Sequence, residues 1–143
     1  MFYVTKILPQ VADTNLQHHI DFLAFSRWCE RARTAFYEEL FPGLDFAPHG
    51  LVIVNSKIDY LKEIVLDDRI EIRSWVSRIG TKSFELTQEI WRTRDDDPTP
   101  VRCGLSLSVF CAIDFTVHKS EPLSDRLIKV LQKYEWSPDE QER

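Results

Sequence analysis

Between Phe22 and Leu40 an apolar residue returns every three or four positions: Ala24, Phe25, Trp28, Cys29, Ala32, Ala35, Phe36 and Leu40. That spacing places them on one stripe of an α-helix, with Arg27, Glu30, Arg31, Thr34 and Glu38 on the other side. Asp21 stands where an N-cap accepts the free amide protons of a first turn. Phe41-Pro42-Gly43 stops the run. The spacing predicts one long helix over 22–40, and the rest of the chain must be organised around its buried face.

The remainder is mostly of period two. Phe2–Ala12 is a first extended segment, with Pro9 marking a strand end or an edge. In Leu51–Leu61, Val52, Val54, Ile58 and Tyr60 are expected on one face, opposite Asn55, Lys57 and Asp59. Arg69–Ile79 sets Ile70, Ile72 and Val76 against Glu71, Arg73 and Trp75. After a turn holding Gly80, Ser83–Thr93 carries Phe84, Leu86 and Ile90 on one side. Val101, Cys103, Leu105, Leu107, Val109, Cys111 and Ile113 alternate with small or polar residues, which predicts a half-buried strand with the apolar set facing the core. A short helix capped by Ser124 is expected from Asp125 to about Tyr134, and the polar tail Ser137–Arg143 reads as frayed. Short connections imply an antiparallel sheet whose apolar face needs one cover, and only the long helix is large enough. The expectation is an α+β fold, one domain over residues 1–143, with five antiparallel strands wrapped around a central helix.

Several classes are disfavoured. A net charge of −5, without a Lys/Arg block interleaved with aromatics, argues against nucleic acid. No apolar run approaches the roughly 20 residues of a membrane span, and Met1–Lys6 has no secretory pattern. The three cysteines include no C-x-x-C, and Cys103 and Cys111 would lie about 26 Å apart on one strand, too far to bridge. Buried thiols in a reducing compartment, the cytoplasm, are expected. There is no G-x-S-x-G, and with four glycines there is no phosphate-cradling loop. His18, His19, His49 and His118 form no ligand spacing, so neither a metal nor another cofactor is expected.

In this order of elements the sequence resembles the single-domain hotdog-fold thioesterases of the 4-hydroxybenzoyl-CoA thioesterase family, over nearly its whole length. Asp13-Thr14-Asn15 stands for the family's D-T-D, His19-Ile20-Asp21 for H-V-N, Phe25 for its tyrosine, and Glu30-Arg31-Ala32-Arg33 for E-x-A-R. Further on, Ile58-Asp59-Tyr60-Leu61 looks like I-D-Y-L, Leu66-Asp67-Asp68-Arg69 like L-G-D-x, and Arg78-Ile79-Gly80-Thr81-Lys82-Ser83-Phe84 like R-x-G-x-x-S-x. The resemblance implies hydrolysis of an acyl thioester without metal or redox cofactor. It also implies subunits paired edge to edge as a homodimer or homotetramer, with sites at their interface.

One departure bears on the chemistry. The third residue of D-T-D, which acts in many members as nucleophile or base, is Asn15, and a carboxamide accepts no proton at neutral pH. The family's glycine is replaced by His18. An asparagine here, with an arginine like Arg33 on the helix, also looks like the thioesterases that release polyenes from enediyne polyketide synthases. The candidate catalytic residues are therefore Asn15 as a polar anchor, His19 as a base that switches near neutrality, and Asp21 as a replacement carboxylate. Each has a structural alternative: Asn15 as a turn residue bonded to its own backbone, His19 as a backbone-bonded histidine, Asp21 as the helix cap. If Asp21 is the cap, first-turn amides would polarise the thioester carbonyl. Candidate substrate-binding residues are Phe22, Arg33 and Tyr60, with Arg78, Thr81, Lys82 and Ser83 for CoA phosphates. Arg33 alternatively pairs with a carboxylate such as Glu30, and a charged turn is alternatively only solvated. The substrate expected is a small-molecule acyl- or aroyl-CoA. The alternatives are an acyl chain on a carrier protein and a non-catalytic acyl-binding hotdog protein.

Overall fold

The helix expected over 22–40 forms with those bounds. Asp21 is its N-cap, and the Asp21 carboxylate accepts the Leu23 amide at 2.6 Å. At the other end, Pro42 and Gly43 lead the chain away through a 3-10 turn in which Gly43 takes a φ of 74°.

The computed structural model of the protein describes residues 1–45 and 47–138. Its elements are β1 (Tyr3–Ile7), α1 (Phe22–Leu40), β2 (His49–Tyr60), β3 (Arg69–Ile79), β4 (Ser83–Thr93), β5 (Val101–Asp114), β6 (Lys119–Ser120) and α2 (Asp125–Lys133). The sheet is antiparallel throughout and runs β1-β3-β4-β5-β2, with β6 added to β5. Ser124 caps α2 through the Leu127 amide at 3.1 Å. Of the tail expected to fray, residues 139–143 lie outside the described residues. The sixth strand was not expected because two residues are too few to show an alternation.

One stripe of α1, from Ala24 to Leu40, is buried against the sheet. The core falls into two parts. Ile20, Ile64, Ile70, Ile72 and Ile90 gather around the first half of α1 with Phe25 and Trp28. Val76, Phe84, Leu86, Phe110 and Leu131 gather around the second half with Phe36 and Leu40. Between them the sheet carries a polar row, Ser74, Gln88 and Ser106 in register, all buried.

Two strand faces differ from expectation. In β5 it is Gly104, Ser106, Ser108, Phe110 and Ala112 that face α1 and are buried, while Leu105, Leu107, Val109, Cys111 and Ile113 lie half-buried on the outer face. Space is the reason: a Cβ on Gly104 would come 3.2 Å from Phe25 Cδ2 and 3.1 Å from Ile90 Cδ1. Where the helix comes this close the strand needs a small residue, so the alternation that puts Gly104 inward turns Leu105 and Leu107 outward, and Phe110 finds its room inward further along, in the second core part with Phe36. In β2 an irregularity between Ile53 and Asn55 shifts the pairing with β5. Leu51 and Ile53 therefore share the inner face with Ser56, Ile58 and Tyr60, and Val52 points the other way.

Candidate active site

The loop that feeds α1 is tied by its own backbone. Thr14 and Ile20 bridge across it, and the Asn15 amide donates to the His19 carbonyl at 2.9 Å. The Asn15 side-chain Oδ1 accepts from the amides of Gln17 at 2.9 Å and His19 at 3.3 Å. The carboxamide oxygen is thus engaged within the loop, and Nδ2 is the group left to donate. His18, at the tip of this loop, takes a φ of 62°. The His19 imidazole, partly exposed, has Nε2 3.5 Å from Glu63 Oε2. Asp13 braces the same corner: its carboxylate accepts from the Gln10 amide and from Arg27 at 3.2 Å, and its carbonyl accepts the Asp21 amide at 2.7 Å.

At the start of α1 the Asp21 carboxylate takes the Leu23 amide and the Asp21 carbonyl takes the Ala24 amide. The first-turn donor that the cap leaves over is the Phe22 N–H. Beside it opens a cleft of about 260 Å³ lined by Ile20, Phe22, Phe25, Tyr60 and residues 61–64. Tyr60, the last residue of β2, meets Phe22 and Phe25 edge to face, with centroids 6.1 and 5.2 Å apart. Phe22 is 61% and Tyr60 50% exposed, so this aromatic wall is open to an incoming apolar group. A wider hollow of about 770 Å³ along the outer side of α1 contains none of the expected site residues.

Arg33 lies three turns into α1, where its Nη1 donates to Gln88 Oε1 at 3.2 Å. Gln88 in turn donates to the Cys29 carbonyl and to Ser74 Oγ, both at 3.1 Å. Arg33 therefore joins the buried polar row instead of a carboxylate on its own helix. Gln88 was absent from the sequence-based candidates. Its signal was a polar residue interrupting the inward set Phe84, Leu86, Ile90. Cys29 is fully buried, and burial pushes its thiol up to about 11, with Arg33 and Ser106 pulling weakly the other way. It is no thiolate at neutral pH.

Arg78, Thr81, Lys82 and Ser83 sit at the β3–β4 turn. Its backbone is pinned by the Gly80 amide on the Ser83 carbonyl and by Ala112 and Leu123 on the carbonyls of Lys82 and Thr81. The side chains of Arg78, Thr81 and Lys82 are exposed and that of Ser83 is half-buried. This turn borders the second core cluster, at the far end of α1 from Asn15. A 19-residue helix is about 28 Å long. Within one chain, then, Phe22 and Tyr60 line the cleft, Asn15, His19 and Asp21 belong to the loop and cap that lead into it without being part of its lining, Arg33 stands further along, and the four turn residues are remote.

The model of the thioesterase superfamily matches residues 24–99, just over half of the chain. No curated protein matches the sequence. Among solved structures, one described as a predicted thioesterase from Bacillus stearothermophilus is 25% identical, with 96% of this chain and 99% of that one covered and a TM-score of 0.87. The dynemicin thioesterase, studied for polyene binding, is 20% identical over 96% and 99% of the two chains, with a TM-score of 0.83. A 1,4-dihydroxy-2-naphthoyl-CoA thioesterase from Synechocystis is 16% identical over 92% and 96%, with a TM-score of 0.76. The sheet wrapped on one helix is the hotdog fold of these structures, and with the match over residues 24–99 the chain belongs to the thioesterase superfamily and is a thioester hydrolase.

Proposed function

We propose that the protein hydrolyses the thioester of an acyl- or aroyl-CoA to the free acid and CoA. The observation that carries this reading is the aromatic cleft opening directly at the capped start of α1. The acyl group would lie against Phe22 and Tyr60. The Phe22 amide and Asn15 Nδ2 would donate to the carbonyl oxygen as negative charge develops there, aided by the positive end of the helix. Asn15 carries no carboxylate to attack the carbonyl, so the nucleophile is water. His19, oriented by Glu63, would accept its proton, and Asp21 is the nearby carboxylate that would assist. Arg33 would contact the acyl portion from the polar row.

A homodimer or homotetramer accounts for the remote turn. β2 is an end strand, and Ile53 and Val54 are 47% and 60% exposed on it. A second copy added at this edge would let Arg78, Thr81, Lys82 and Ser83 of one chain hold the CoA phosphates of substrate bound at the other. Residues 1–143 would act as one domain, and the three free cysteines fit a reducing cytoplasm. Among the described residues no helix is long and apolar enough to cross a membrane. A CoA thioester also agrees with the naphthoyl-CoA relative and with a Staphylococcus aureus protein of the same fold solved in complex with CoA.

The carrier-protein reading is favoured by one observation, the asparagine at position 15 in a chain that superposes on the dynemicin thioesterase. Thiol release measured over short, long and aromatic acyl-CoAs, and over the same acyl groups on a carrier protein, separates the two. Hydrolysis of a CoA series supports the proposal, and turnover confined to carrier-bound chains moves it to the second reading. Background rates on every substrate would leave an acyl-binding protein.

A further inference from the structure

At the opposite end of the sheet from the helix start, three side chains converge that the hydrolysis does not use. His49 opens β2, Asp114 closes β5 as its register partner, and Glu121 follows β6. The return of the chain fixes the third: Glu121 donates its amide to the Ala112 carbonyl, two residues before Asp114. One ring nitrogen of His49 and one carboxylate oxygen from each acid all lie within 4.8 Å of one another. Sequence spacing showed no such set because the three residues come from separate segments joined only by strand pairing.

We propose that His49, Asp114 and Glu121 form a binding site for a divalent transition-metal ion of the Zn²⁺ type. Zinc–nitrogen and zinc–oxygen bonds of about 2.0–2.2 Å place donor pairs roughly 3–4 Å apart, so pairs near the 4.8 Å limit would close by about 1–2 Å and the His49–Glu121 pair at 2.7 Å would open slightly to share one ion. Two carboxylates held this close repel each other, and among the described residues neither makes an ion pair with Lys or Arg. Glu121 has only the His49 ring at 2.7 Å, and Asp114 accepts only the Thr116 amide at 2.8 Å. A cation between them relieves that repulsion. The imidazole decides which cation, because Mg²⁺ and Ca²⁺ prefer oxygen alone, whereas one nitrogen with two oxygens suits Zn²⁺ or Co²⁺. A cavity of about 310 Å³ adjoins His49 and Glu121 and reaches to Phe41 and Leu127, leaving room for water as a fourth ligand.

Isothermal titration of the intact protein with Zn²⁺ tests this, alongside Mg²⁺ titration and the visible spectrum of added Co²⁺. One Zn²⁺ per chain is expected, with binding at least about tenfold weaker in both His49→Ala and Glu121→Gln. Zn²⁺ should raise the thermal midpoint of the parent protein and not of the variants. Circular dichroism checks that each variant is folded, and thioester hydrolysis should persist in His49→Ala. The proposal is overturned by an absence of saturable binding. It is equally overturned by unchanged affinity in the two variants, or by Mg²⁺ competing on equal terms.

Discussion

Asn15 and His19 hold each other across the loop before α1, amide to carbonyl at 2.9 Å and side-chain oxygen to amide at 3.3 Å. The structural and catalytic readings of Asn15 therefore divide between its two side-chain atoms, the oxygen closing the loop and the nitrogen left to donate. Asn15→Asp keeps acceptors for the Gln17 and His19 amides and adds a carboxylate, so it should retain or raise hydrolysis. Asn15→Ala removes both functions and should lower kcat by about a hundredfold. Steady-state rates check this, and an alanine variant at the parent rate removes Asn15 from the chemistry.

His19 is tested by substitution. As the general base, with Nε2 3.5 Å from Glu63 Oε2, it should carry about a hundredfold of kcat, and His19→Ala should lose that factor with little change in KM. An alanine variant that turns over at the parent rate assigns the base elsewhere, with Asp21 next in line.

Gln88 links strand to helix at the polar row. Gln88→Ala leaves the Cys29 carbonyl and Ser74 without their buried donor and frees Arg33, at a cost of about 1–3 kcal/mol. Urea unfolding should show that loss. A variant as stable as the parent would mean that the row is satisfied by other groups.

The elements were legible because their periodicities are long and unbroken: α1, β3 and β4 occupy the expected spans. What failed was the facing of β5. Alternation by itself is symmetric between two faces, and hydrophobicity picked the side with the leucines. A helix packed against Gly104 demands the opposite choice, and no local pattern reports how near a helix will come. The bend in β2 near Val54 was invisible for a similar reason, since a single extra residue leaves the composition unchanged. At the site, the motif indicated the loop and the cap. It could not indicate Gln88 or Glu63, which matter only through partners distant in sequence.

Gly104→Val should therefore destabilise by about 1–3 kcal/mol, because its Cβ alone would come within 3.2 Å of Phe25 and 3.1 Å of Ile90, and its branches must push both aside. Thermal unfolding measures this. A neutral result would show that α1 can lift from the sheet without loss.

Alkaline pH should weaken the fold through Cys29. Burial raises this thiol from 9.0 to about 11, so above its ordinary value the unfolded chain releases the proton while the folded one retains it. The contribution is complete below 9.0, declines as pH rises, and is gone above about 11. It amounts to about 3 kcal/mol at most. Tyr134, raised to about 12 by burial and by Glu39, extends the decline. Denaturant unfolding at increasing pH should show the loss, and Cys29→Ala should flatten its earlier part. An identical slope in the variant would assign the effect to Tyr134.

The outward leucines and valine of β5 carry a consequence for how the molecule lives at dilution. A strand that turns its greasier side away from its own helix leaves that side half wet, and any neighbour that dries it contributes free energy the isolated chain lacks. If that neighbour is another copy, resistance to heat becomes a matter of how many copies share the solution, and a sample thinned a thousandfold should melt sooner than a crowded one.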